Sequence, residues 1–322
     1  MVYSQPDHRI SQCTLAEHID YVGVGLHSGR SLSMKLLPAP PNSGICFVRR
    51  DLAPERSLIR ASWRNVVDTH LCTVLGNEHG ATLSTVEHLL AALRGSGVDN
   101  AQIEISAGEV PILDGSCAPL MKLIDAAGIV SQRLPRQAIW IESPIEVRQG
   151  ERMAMLAPGD WPRISVDIEF EHAAIGTQCY SVELHDQIFA SEIAPARTFG
   201  FTSELDELRS RGLALGGSIR NAVVLDDDGV VNAEGLRFAD EFVRHKVLDC
   251  LGDLALAEAP IFGHFYAYRP GHRLNVALVR EMFANRGAWR RIGYDEALRR
   301  IELCEGQRLA AAKSRPPQLP PR

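Results

Sequence analysis

The densest chemistry in the chain lies in Phe242-Val243-Arg244-His245-Lys246-Val247-Leu248-Asp249-Cys250-Leu251-Gly252-Asp253, where His245, Asp249 and Asp253 recur every four residues. On a helix, side chains four apart stand on one face about a turn from each other. An imidazole and a carboxylate so placed can hold one divalent cation, and nitrogen plus oxygen donors suit zinc. The same pair is also an ordinary surface His–Asp contact. A second cluster is Ser84-Thr85-Val86-Glu87-His88-Leu89-Leu90, in which Glu87 and His88 interrupt an apolar stretch. A carboxylate beside a metal-binding histidine is what hydrolysis requires, because it can take the proton of a metal-bound water. A helix edge with Glu87 solvated and His88 packed is the plain alternative, and the pair is not the H-E-x-x-H motif. His272 follows a Pro270-Gly271 turn, from which it can reach over a cleft as a general acid or cap the next segment. In Ala196-Arg197-Thr198-Phe199-Gly200-Phe201, the Thr198 hydroxyl can donate to an oxyanion or bond a turn backbone. Leu215-Gly216-Gly217-Ser218 is too weak to define a phosphate loop, while Asp114-Gly115-Ser116 and Asp226-Asp227-Asp228-Gly229 read as turns.

These residues need elements to position them. Residues 31–37 alternate polar and apolar after the turn His27-Ser28-Gly29-Arg30, which predicts the second arm of a hairpin. Residues 83–93 carry Leu83, Val86, Leu89, Leu90 and Leu93 at helical spacing, with Ser84 or Thr85 as N-cap and Gly95 and Gly97 as stops. Residues 101–105 read as a strand and 119–127 as a helix ended by Gly128. Residues 131–138, polar with a proline, read as a linker. Strands follow at 139–147, 152–156 and 164–170, helices at 202–211 and 242–251, and an aromatic strand at 261–268. The last ten residues, KSRPPQLPPR, read as a disordered tail.

An internal repeat links the two clusters. HSGRSLSMKLLPAP around Gly29 and RQGERMAMLAPG around Gly150 each combine a glycine turn, an alternating strand and an Ala-Pro stop. His88-x6-Gly95 precedes one strand and His245-x6-Gly252 precedes another. The repeat predicts a duplicated α+β unit whose two helices face each other; chance among common turn and helix patterns is the competing explanation.

Composition bounds the rest. At about 150 residues per domain, 322 residues suggest two domains; 45% hydrophobic and 23% charged residues are those of a globular protein rather than a disordered or fibrous one. The net charge of −6, from 34 Lys+Arg against 40 Asp+Glu, excludes a generic polyanion binder and nucleic acid as a partner. Only four of the basic residues are lysines: Lys35, Lys122, Lys246 and Lys313. Seven cysteines without a C-x-x-C pair fit neither a disulfide framework nor a cysteine zinc site, so a reducing compartment is expected. The opening residues have no secretory pattern. The most apolar window, 251–268, is broken by Asp253, Glu258, Pro260 and His264, so no transmembrane segment and a cytoplasmic location are expected.

The strings GVGLHSG (23–29), LSTVEHLLAAL (83–93), PILDGS (111–116), ARTFGF (196–201), LGGS (215–218), GLRFADEFVRHKVLDCLGDL (235–254) and GH-x-LN (271–275) occur in order. Together they closely resemble the zinc-dependent UDP-3-O-acyl-N-acetylglucosamine deacetylases of bacterial lipid A synthesis, from about residue 10 to about residue 275. The resemblance implies an α+β fold of two related domains, each with sheets packed on helices and the active site at their interface. The expected divisions are 1–133, 134–310 and a basic, proline-rich tail at 311–322. It implies a zinc site of His88, His245 and Asp249 with one position open to water, Glu87 as general base, His272 as general acid or charge stabiliser, and Asp253 orienting His272. Thr198 matches the oxyanion donor, Lys246 and Phe199 match substrate contacts, and Phe201, Leu205, Ile219, Ala222 and Val224 match the acyl groove, although these five could equally be plain core.

The implied reaction removes the N-acetyl group of UDP-3-O-(3-hydroxyacyl)-N-acetylglucosamine and releases acetate, in a monomer with at most transient contact with a membrane surface. The rival reading is a non-catalytic zinc or nucleotide-sugar binding module, which predicts a fourth protein ligand closing the metal site. A zinc peptidase would lack its H-E-x-x-H motif.

Overall fold

The hairpin expected around Gly29 forms: β1 (Ile19–Val24) pairs antiparallel with β2 (Ser31–Pro38), and Gly29 takes φ +65° in the turn. Along β2, Leu32, Met34 and Leu36 are buried and the residues between them are not, the period-two burial of a half-covered sheet. A computed structural model describes residues 10–313. With β3 (Ile45–Arg49), β4 (Leu58–Arg60) and β5 (Ala101–Ile105) the hairpin builds a five-stranded sheet of order β1-β2-β5-β3-β4. A second hairpin turns at Gly150, φ +60°, between β6 (Ile145–Gln149) and β7 (Arg152–Ala157). With β8 (Arg163–Glu169), β9 (Thr177–Glu183) and β10 (His264–Tyr268) it gives the order β6-β7-β10-β8-β9. In both sheets the last-arriving strand inserts antiparallel to the hairpin and parallel to the third strand. The fold is α+β, and the repeat seen in the sequence is a repeat of sheet topology.

Two helices carry the expected histidines. α1 (Glu87–Gly95) starts later than the apolar spacing predicts, because Thr82–Leu83 is a strand and Ser84 is bonded through its backbone to Gly108 and Val110. Neither Ser84 nor Thr85 caps it; Val86 holds the cap position, and Thr85 is held at φ +60°. Glu87 through Leu93 are all buried, as in a helix sandwiched between layers. α2 (Glu241–Ala255) packs against α1, and α3 (His272–Ala284) packs on α2. Gly252 sits where a Cβ would lie 2.1 Å from the Glu87 carbonyl oxygen, so only glycine lets the two helix backbones come this close. One apolar core runs through both halves.

Several expectations are corrected. Residues 131–138 are not a linker: Ile129–Pro135 pairs with Ser11–Leu15, and Gln137–Ile141 pairs with Trp289–Gly293 and Ile261–Phe262. Arg133 and Gln137 face water, while Arg136 is buried against Asp99 and Gln132 bonds Asn100, so residues whose composition mimics a loop are paired by tertiary contacts. The strand expected at 139–147 divides between Gln137–Ile141 and β6. The aromatic strand at 261–268 breaks at Gly263, φ +150°, and serves two sheets. Residues 276–303 complete α3, the strand Trp289–Gly293 and much of the helix Tyr294–Lys313, which also takes in the first residues expected in the tail. The remainder of that tail lies outside the described residues.

Candidate active site

His88 on α1 and His245 with Asp249 on α2 meet where the two helices cross. Their ligand atoms all lie within 4.8 Å of one another: Asp249 Oδ1 is 3.3 Å from His245 Nε2 and 3.5 Å from His88 Nε2. The rings stand edge to face at 4.9 Å. All three residues are at least nine-tenths buried. His245 Nδ1 lies 3.1 Å from the Ala196 carbonyl oxygen, so an Nδ1–H donates there and Nε2 presents its lone pair to the cluster. Burial lowers the pKa of His245 against the pull of Asp249, favouring the neutral ring. Burial works against the Asp249 carboxylate, but His245 and Lys246 hold its pKa well below the usual range. Two imidazole nitrogens and an ionised oxygen converging in a buried space fit a divalent metal. Among the described residues no fourth His, Cys, Asp or Glu joins the group.

Beside this cluster lie an acid and a base. Glu87, 3% exposed, accepts the Thr73 N–H at Oε2 (3.0 Å), and burial pushes its pKa up to about 7 against the opposing effect of His272. His272, the first residue of α3, places Nδ1 2.9 Å from Asp253 Oδ2 and Nε2 3.9 Å from Glu87 Oε1. Burial opposes its charge, but Asp253 and Glu87 outweigh it and raise the pKa to about 10. Asp253, fully buried, also accepts Asn275 Nδ2 at 2.9 Å and the Thr73 hydroxyl at 2.5 Å.

Thr198 lies two residues after Ala196, whose carbonyl oxygen is the partner of His245 Nδ1. Its N–H donates to Gly115 O at 2.8 Å, and its carbonyl accepts the Val223 N–H at 2.7 Å. The neighbouring Arg197 is buried and bonded through its backbone N–H, Nε and Nη2 to Glu241. Among the described residues the Thr198 hydroxyl has no hydrogen bond, which leaves it able to donate. Lys246 Nζ is 2.9 Å from Asp249 Oδ2 and 5.3 Å from the centre of the Phe199 ring. It lines a cavity of about 590 Å³ with Arg152, Arg269, Phe170 and Phe201, and the same lining carries the carboxylates Glu169, Glu171 and Glu204.

The five acyl-groove candidates share one small unit, but not one wall. Phe199–Phe201 runs parallel to Val223–Asp226, with Phe201 opposite Leu225 and Gly200 opposite Val224. Phe201 therefore turns toward Phe170 and His172, while Ala222 and Val224 take the other face, beside the open space over Gly200. Leu205 is half-buried on the helix Thr202–Ser210, and Ile219 is exposed. Thr73, Asn275, Arg152, Arg269 and Phe170 were missed as site residues. Asn275 lay within a quoted string; the others had no local signal.

Residues 12–284 match the family model described as UDP-3-O-acyl N-acetylglycosamine deacetylase. The chain is 44% identical over 294 residues to the UDP-3-O-acyl-N-acetylglucosamine deacetylase of Wolinella succinogenes, covering 91% of this chain and 97% of that one. It is 47% identical over 290 residues to the enzyme of that name from Idiomarina loihiensis, covering 89% and 94%. With the enzyme of that name from Myxococcus xanthus it shares 47% over 275 residues, covering 85% and 87%.

Proposed function

The chain belongs to the UDP-3-O-acyl-N-acetylglucosamine deacetylase family, and from that membership and the geometry of the cleft we infer how it works. It is a hydrolase that removes the N-acetyl group from UDP-3-O-acyl-N-acetylglucosamine in lipid A biosynthesis. We assign zinc to His88, His245 and Asp249, since two imidazoles and one carboxylate make an N2O donor set that no fourth protein ligand joins among the described residues. When bound, zinc supplies a Lewis acid that polarises the amide carbonyl and makes water more acidic.

The protein's own groups do the rest. Glu87, with its pKa near 7, takes the proton of the attacking water. The Thr198 hydroxyl donates to the oxygen that becomes negative as the carbonyl carbon turns tetrahedral. His272, held protonated by Asp253 and Glu87, faces the cleft with Nε2 and delivers its proton to the departing amine, or stabilises the charge around it. The C–N bond breaks, leaving acetate and the 2-amino sugar nucleotide. In the cavity that it lines, Lys246 beside the metal cluster is the cation assigned to the diphosphate, with Arg152 and Arg269 in the same lining alongside Glu169, Glu171 and Glu204, and with Phe170 and Phe201 as apolar surfaces. The open face at Gly200, Ala222 and Val224 is the part of the predicted acyl groove that can receive a chain. A cytoplasmic location, a monomeric state and transient contact with a membrane surface belong to the same proposal; among the described residues no helix is long and apolar enough to cross a membrane.

The observation that carries this reading is the three-ligand cluster with Glu87 and His272 at its side. A binding module would close the cluster with a fourth protein ligand, and the described residues offer none. Exchange of Glu87→Ala is expected to leave zinc stoichiometry intact while lowering kcat by about 100-fold or more. Full deacetylase activity in that variant would overturn the mechanism.

A further inference from the structure

Building on the amide-hydrolase reading above, we propose that Thr73 is a positioning residue that ties the general base of the first half to the acid-side carboxylate of the second. Thr73 is fully buried and lies in neither helix of the cleft. Its backbone N–H donates to Glu87 Oε2 at 3.0 Å, and its hydroxyl donates to Asp253 Oδ1 at 2.5 Å. The two partners are 14 and 180 residues away in the chain. Only the folded crossing of α1 and α2 brings both within reach of one residue.

Each bond leaves its partner with one oxygen for chemistry. With Oε2 occupied, Glu87 presents Oε1, the oxygen 3.9 Å from His272 Nε2. With Oδ1 occupied, Asp253 presents Oδ2 to His272 Nδ1 and Asn275 Nδ2, each at 2.9 Å. A carboxylate held at both oxygens cannot rotate, so the imidazole bonded to it keeps its orientation. Thr73 thereby sets the spacing between proton acceptor and proton donor. The loop that delivers it is itself held in an unfavourable shape, since Leu71 sits at φ +64°, a conformation that persists only where the surroundings enforce it.

A core threonine that merely fills space would act through its shape, whereas a positioning threonine acts through its hydroxyl, and substitution separates the two. Thr73→Val preserves the branching and the backbone N–H but deletes the donor. It is expected to lower kcat by about 10- to 100-fold with KM and zinc content unchanged. Thr73→Ser, which restores a hydroxyl, should recover kcat to within about 3-fold of the native enzyme. In an Asp253→Ala background the Thr73→Val exchange should cost less than about 3-fold more, because the acceptor is already gone. Thr73→Ala, free of any overpacking, is expected to follow Thr73→Val should the valine variant fail to fold. The inference is overturned if either non-polar variant keeps kcat within about 2-fold of native, or if the Thr73 and Asp253 losses simply multiply. A native chain without deacetylase activity would instead remove the function itself, so the two failures are distinguishable.

Discussion

Glu87 and His272 stand 3.9 Å apart, with pKa values raised to about 7 and about 10. That order makes a carboxylate beside an imidazolium the dominant state between about pH 7 and about pH 10, which suits the base and acid proposed for opposite halves of one hydrolysis. A cation in the adjacent cluster lowers both values by repulsion of protons. The carboxylates facing His272 are Asp253, Glu87 and, farther off, Asp249. Removing the charge of the first by Asp253→Asn takes away the strongest influence that favours the imidazolium, so the His272 pKa must fall. Activity that requires a protonated His272 is then lost at lower pH. The alkaline limb of the kcat/KM profile is expected to move down by about one pH unit or more; an unshifted limb would mean that His272 is not the group titrating there. These residues were legible in the sequence as types: His245, Asp249 and Asp253 by their four-residue spacing, Glu87 and His88 as polar intrusions in an apolar helix. Thr73 was not, because a threonine that bonds two carboxylates through tertiary contacts has no local pattern.

At the scale of elements, the site is the crossing of α1 and α2. The absence of a side chain at Gly252 brings the backbone of α2 against the carbonyl of Glu87. A methyl group there would lie 2.1 Å from that oxygen, and neither backbone is free to yield within the shared core. Gly252→Ala is therefore expected to separate the helices and widen the gap between His88 and Asp249. Stability should fall by about 1–3 kcal/mol in denaturant unfolding, with weaker metal binding alongside. Native stability and native metal affinity together would show that the contact can relax. The sequence predicted both helices but misjudged the start of α1, because apolar spacing does not report that Ser84 is already committed to residues 108–110. It likewise read 131–138 as a linker, since polar composition does not report that Arg136 and Gln132 pair with Asp99 and Asn100 elsewhere in the chain.

Across the whole molecule, the two sheets share one topology, and the proposed metal ligands come from both repeats: His88 from the first, His245 and Asp249 from the second. A metal held in this way binds only when both halves are folded and joined, so its binding energy adds to global stability. Free zinc at about 100 times its Kd should add about 2.7 kcal/mol, read as a rise in Tm that chelation reverses. His88→Ala should abolish most of the rise, as should Asp249→Ala. A full rise in either variant would place the stabilising metal elsewhere.

The sequence by itself determined the chemistry and the repeat. Residue types at helical spacing, ordered strings over most of the chain and matched glycine turns are local or periodic, and such features survive in one dimension. Tertiary structure alone decided which oxygen of Glu87 faces His272, which residue holds Asp253, which side of the Phe199–Phe201 strand is open, and which cations share a cavity with Lys246. Each of these depends on groups far apart in the chain that only the packing of the helices and sheets brings together.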